Sequence, residues 1–232
     1  MRRRLIASVD LPLVMCTVTL LFLPSHSKAQ WKQTGGPPGG FVLSVAVNGT
    51  DVFAGSMQGG VFRSTDNGAS WKAANSGLPE GASVSCLAVS GSDIVAGTHA
   101  HGVFLSTTNG EHWRSVSNGL PESAIYSLAV SGTNIFAGLH RYGVFLSMNN
   151  GASWRAVNSG LVESPFGGIV VYDLLASRDQ VYAGTNSGLF RSANSGTSWS
   201  RASAGMREGT SVHEIAKGGP NLIVVNLGYG SR

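Results

Sequence analysis

Four sets of polar residues could carry chemistry in this chain. They are His99 with His101, His140-Arg141-Tyr142, the glutamates Glu80, Glu122, Glu163 and Glu208, and the isolated Asp173. Imidazole, guanidinium and phenol groups bind through hydrogen bonds and ring faces, and carboxylates bind cations or move protons. His99, His101 and His140 do not read as a metal site. His99 and His101 are one residue apart on a turn, and no carboxylate is fixed beside them. Neither a metal nor a cofactor is expected. The glycines follow repeated turns rather than a phosphate-cradling loop.

What positions these residues is a repeat. Ser64-Thr65-Asp66-Asn67-Gly68-Ala69-Ser70-Trp71 returns as Ser106-Thr107-Thr108-Asn109-Gly110-Glu111-His112-Trp113. It returns again as Ser147-Met148-Asn149-Asn150-Gly151-Ala152-Ser153-Trp154, and as Ser192-Ala193-Asn194-Ser195-Gly196-Thr197-Ser198-Trp199. Trp31-Lys32 marks an earlier partial copy. A period of this length is the signature of stacked supersecondary units.

Each unit reads as four short strands. In the first, Val42–Val47 is an inner strand, Val52–Gly55 a second and Gly60–Ser64 a third, with a fourth starting near Trp71. Asp66-Asn67-Gly68 is a tight turn in which Gly68 takes the positive φ and Asp66 accepts backbone N–H groups. The indole is expected to fill the gap between sheets. The reading is an all-β propeller. Four complete blades fall at about 41–72, 82–113, 124–154 and 168–199, and a partial fifth pairs 211–232 with 31–34. A third strand is missing from that fifth blade. It either closes with three strands, or is completed by another chain, or belongs to a truncated fragment.

Residues 1–29 read as a signal peptide: Arg2-Arg3-Arg4, then an apolar stretch from Leu11 to Leu23, then Ser27-Lys28-Ala29 before the expected cleavage. A secreted, periplasmic or cell-surface location follows, with no stable membrane span afterwards. The whole chain of 232 residues has a net charge of +4, but without residues 1–29 it holds 12 basic and 11 acidic residues, a net of +1. That balance excludes a nucleic-acid partner held by charge. Cys16 leaves with the leader, so Cys86 is alone and reads as a buried thiol.

The pattern Ser-x-Asp-x-Gly-x-x-Trp resembles the Asp-box, or BNR, repeat. It is similar to the propellers of sialidases, sortilin-type receptors, xyloglucan-cleaving glycosidases and the photosystem II assembly and stability factor. The closest texture is that of plain secreted bacterial repeats. The resemblance covers residues 31 to about 225. It implies that the boxes, Ser64, Asp66, Gly68, Trp71 and their counterparts, are structural turns away from the ligand face. Thr108, Asn149 and Asn194 depart from the Asp; Asn can make the same turn and Thr does so less well.

In such a propeller the second-to-third-strand tips and the blade connections share one face. The binding face is therefore expected at His99, His101, His140, Arg141 and Tyr142, rimmed by Glu80, Glu122 and Glu163. A sialidase would need an arginine cluster, a tyrosine nucleophile and paired carboxylates. Here Arg63 and Arg191 fall beside the box hairpins, and Arg114, Arg155 and Arg201 just after the Trp. Only Asp173 could approach the centre. The expected role is a non-catalytic binding module for a protein or polysaccharide. The alternatives are a glycoside hydrolase, an assembly chaperone, or a fragment without independent function.

Overall fold

The structure, a computed structural model, describes residues 35–37, 40–165, 167–177, 180–207, 209–218 and 221–226. The expected leader, Trp31–Thr34, Asp179, Glu208 and 227–232 lie outside these.

Four antiparallel four-stranded sheets follow one another along the chain. The first is β1 (Val42–Asn48), β2 (Asp51–Ser56), β3 (Gly60–Ser64) and β4 (Lys72–Ala73). The second is β5 (Val84–Ser90), β6 (Asp93–Thr98), β7 (Val103–Ser106) and β8 (Arg114–Ser115). β9 (Ile125–Ser131), β10 (Asn134–Leu139), β11 (Gly143–Ser147) and β12 (Arg155–Ala156) form the third. The fourth is β13 (Val171–Ser177), β14 (Gln180–Thr185), β15 (Gly188–Ser192) and β16 (Ser200–Arg201). A hairpin of β17 (Glu214–Gly218) and β18 (Asn221–Val225) begins a fifth. The inner strands β1, β5, β9, β13 and β17 lie against one another in succession. This is the blade architecture of a β-propeller. No helix of the described residues is long and apolar enough to cross a membrane.

Alternation places one apolar face of each sheet against the preceding sheet and the other against the next. Phe53 and Val61 of the first sheet meet Val84, Ile94, Phe104 and Trp113 of the second in one fully or nearly fully buried cluster. Equivalent clusters join the second to the third, the third to the fourth, and the fourth to Val212 and Ile215. Val45 and Val47 on β1, and Ile223 and Val225 on β18, remain exposed at the two ends of the series.

The box turns form as their residues require. Gly68 N–H donates to Ser64 Oγ at 2.8 Å, Ser64 Oγ to Asp66 Oδ1 at 2.8 Å, and Ser70 N–H to the same Oδ1 at 2.8 Å. Ser70 Oγ donates to Asp66 Oδ2 at 2.6 Å. Those donors, chiefly Ser70, hold the Asp66 carboxyl down at about 2. Asn149 and Asn194 accept from Ser153 and Ser198 in the same way, and their amides donate to those serine hydroxyls at 3.0 and 2.9 Å. Thr108 has one oxygen for the work: it accepts His112 N–H at 2.9 Å and lies 3.3 Å from Ser106 Oγ.

Two details correct the sequence reading. Positive φ is not left to the glycine alone: Asn67 (55°), Asn109 (51°), Asn150 (52°) and Ser195 (52°) share it with the Gly that follows. The tryptophans are also not equivalent. Trp113, Trp154 and Trp199 are buried, and their indoles donate across to the preceding sheet, to the carbonyls of Ala74, Val116 and Val157 at 2.8, 2.6 and 2.7 Å. Trp71 is half-buried and donates to Gly68 within its own turn. In the last hairpin the inner strand begins at Glu214, and the buried Val212 precedes it.

Candidate binding site

The register of the inner strands decides which side chains reach the centre. Between β1 and β2 the pairing shifts from Val42↔Ser56 to Ser44↔Gly55, leaving Leu43 bulged. The same shift leaves Ser85, Tyr126 and Tyr172 bulged in the next three sheets. His213, just before β17, donates its N–H to Val225 and occupies the matching place. A bulge re-aims its residue and twists the strand locally. The bulged rings and the second-to-third-strand tips meet as a result.

Tyr126 is the hub. Its ring stacks on His99 at 6.4 Å between centroids and on Tyr172 at 6.3 Å with the planes only 7° apart. His140 meets it edge-on at 5.4 Å, with Tyr126 Oη 3.1 Å from His140 Nδ1. Tyr172 then stacks on His213 at 4.0 Å. A continuous row thus runs from the second sheet to the fifth. The backbone fixes both tips: His99 N–H donates to Ser83 and His140 N–H to Ala124, each at 3.0 Å. Burial pushes the His140 and His213 imidazoles below their ordinary range, with the charge of Arg141 adding to the effect at His140. Burial also raises the Tyr126 phenol.

Of the residues expected at this face, His99 and His140 are in the row. His101, Arg141 and Tyr142 are exposed on the tips, and among the described residues no ring contact joins His101 or Tyr142 to the row. Glu80, Glu122 and Glu163 are exposed on the connections between sheets. These connections do lie beside the tips: Ser123 Oγ donates to His140 at 2.7 Å, and Ile169 N–H donates to Arg141 at 3.2 Å. The opposite end carries the boxes, where Asn109 of the second box donates to Asp51 at 2.6 Å.

Tyr126, Tyr172 and His213 were missed because the bulge is invisible in a run such as Ile125-Tyr126-Ser127-Leu128. The usable signal was variation at one register position, Leu43, Ser85, Tyr126, Tyr172, His213, each directly after an invariantly apolar residue (Val42, Val84, Ile125, Val171, Val212).

Asp173 follows Tyr172 in β13. Its Oδ2 accepts Ile215 N–H at 2.7 Å and its Oδ1 accepts Leu174 N–H at 2.8 Å. Burial outweighs these bonds and pushes the carboxyl up to about 7, and nearby Glu214 adds to the rise. Cys86 is buried and pushed up to about 12, mainly by burial, so its thiol is inert. No group of three metal-ligating side chains occurs among the described residues. A groove of about 370 Å³ lies away from the row, lined by Arg63, Ser70, Lys72, Asn75 and Glu111 beside the box turns.

No family model matches the chain, and no curated protein matches it. Solved structures do. An ancestral GH74 enzyme is similar at 25% identity and a TM-score of 0.61, over 76% of this chain and 26% of its own. The GH74 xyloglucanase from Xanthomonas campestris is 19% identical, with a TM-score of 0.64 over 85% of this chain and 35% of its own. YCF48 bound to D1 peptide is 15% identical, with a TM-score of 0.62 over 86% of this chain and 67% of its own. The chain thus spans about a quarter to a third of the GH74 enzymes it matches. What these likenesses share with the sheets described above is the β-propeller fold.

Proposed function

We propose that this chain is a non-catalytic binding module whose ligand, a protein segment or a polysaccharide, lies on the tip face. The supporting observation is the ring row His99–Tyr126–Tyr172–His213 with His140 against it. Aromatic faces supply large contact area with few rotamers to freeze. Both oxygens of Asp173 are engaged by main-chain N–H groups, which suits a structural acid better than a proton-transfer group. The xyloglucanase likeness keeps a glycan in view, and the YCF48 complex keeps a peptide in view. An exported setting rests on residues 1–29.

The test is a peptide array and a glycan array probed with the protein and with a Tyr126→Ala/Tyr172→Ala variant whose melting curve shows it folded. The expected result is a ligand retained by the first and lost by the second. Equal retention by both would overturn the assignment of the face.

A further inference from the structure

The row is longer than a small ligand requires, and exposed carboxylates outnumber cations on the tips and connections. Centroid steps of 6.4, 6.3 and 4.0 Å lead from His99 to His213, comparable with about five residues of extended chain. Glu80, Glu122 and Glu163 stand exposed, one on each connection between sheets, with Asp173 and Glu214 next to Tyr172 and His213 in sequence. Among the described residues the tips and connections supply only Arg141 and Arg207 against them. Other cations are placed elsewhere: Lys72, Arg114, Arg155 and Arg201 occupy the outer strands. Phenol faces attract a cation through the ring quadrupole. A guanidinium is the side chain that stacks best on such faces. An anionic ligand would meet repulsion, and a neutral glycan would leave the glutamate rim unused.

We infer that the tip face takes a flexible protein segment carrying arginine or lysine side chains, their cationic heads lying on Tyr126 and Tyr172 inside the rim of Glu80, Glu122 and Glu163. The inference rests on the proposed binding role and names the chemistry of the partner.

The test uses hexa-arginine, hexa-glutamate and cellohexaose as probes, titrated calorimetrically into the full chain at low and raised salt. Saturable binding of hexa-arginine is expected, weakening as salt rises. The Tyr126→Ala/Tyr172→Ala variant should bind it at least about tenfold more weakly. Glu122→Gln with Glu163→Gln, at exposed positions that do not threaten the fold, should cost about threefold and reduce the salt dependence. Glu111→Gln, beside the box turns, should change nothing. Hexa-glutamate binding as tightly, hexa-arginine binding untouched by these variants, or no hexa-arginine binding would each overturn the inference. Cellohexaose bound in place of hexa-arginine, and lost in the tyrosine variant, would overturn it while leaving the binding role standing.

Discussion

Gly119 and Gly132 both take positive φ, yet replacing them with alanine should have unequal consequences. At Gly132 (φ 61°) a Cβ meets nothing within 4 Å. The cost of Gly132→Ala is then left-handed strain alone, about 1–2 kcal/mol. At Gly119 (φ 94°) the same Cβ would lie 2.5 Å from the Trp154 carbonyl oxygen and 3.3 Å from its nitrogen. Those atoms belong to the next sheet, so relief requires the two sheets to part. Parting them strains the Trp154 N–H bond to Asn118 (3.0 Å) and the indole bond to Val116 (2.6 Å). At about 1 kcal/mol for each bond, added to the strain, Gly119→Ala should cost about 3–4 kcal/mol. Urea unfolding followed by tryptophan fluorescence measures both variants on one scale. A difference of about 2 kcal/mol is expected between them. Equal losses, within about 0.5 kcal/mol, would refute the claim that close main-chain approach between sheets demands this glycine.

The tryptophans give a second comparison: Trp113→Phe leaves the Ala74 carbonyl without its donor and should cost about 1–3 kcal/mol more than Trp71→Phe, read from the same unfolding curves. In the boxes, Thr108→Asn and Ser195→Asn should each stabilise by about 0.5 kcal/mol. The first restores a second hydrogen-bonding atom and the second fits a φ of 52°, and melting temperatures would reveal either. Stability should also depend on pH through Asp173. Its folded pKa, about 7, lies above the unfolded value, so the folded state holds the proton over roughly pH 4–7. The contribution is full below pH 4 and is lost as pH rises to 7, by at most about 4 kcal/mol. Asp173→Asn should flatten the wild-type slope across that window, and an unchanged difference between the two proteins from pH 4 to 7 would contradict the burial argument.

The blades were legible because their turns are chemical. Ser64, Asp66 and Gly68 satisfy one another within five residues, so the motif states its own geometry, and apolar alternation between the motifs supplies the strands. The indoles were expected between the sheets, but the spacing could not show which atoms they reach there. The indole acceptors lie 38 to 42 residues from their tryptophans. Within single sheets too, Asn75 and Asn158 accept from third-strand N–H groups 14 positions away, those of Val61 and Val144, each at 2.7 Å. The tip face was half legible. His99 and His140 were found as variable residues on fixed hairpins, whereas Tyr126 and Tyr172 were absorbed into strands that read as apolar.

That same bulge explains how one frame can carry different faces. Residues on either side of it are held tightly: the Cβ of Gly138 would lie 2.6 Å from the Val171 side chain, and that of Gly97 would lie 2.7 Å from Ile125. Those positions admit little change without a cavity or an overlap. The bulged residue has no opposite partner in the ladder, although Ser85 Oγ donates to the Gly97 and Ile125 carbonyls. Leu43, Ser85, Tyr126, Tyr172 and His213 can therefore differ while the sheets stay superimposable. Chemistry that changes from blade to blade at this one position, while the boxes keep one turn geometry, is what a recognition surface on a structural repeat requires. Exchanging Ser85 for Tyr should then extend the row toward the first sheet at a cost of about 1 kcal/mol, that of the lost hydroxyl bonds. A loss of several kcal/mol would show that the bulge is packed as tightly as its neighbours and is no site of free variation.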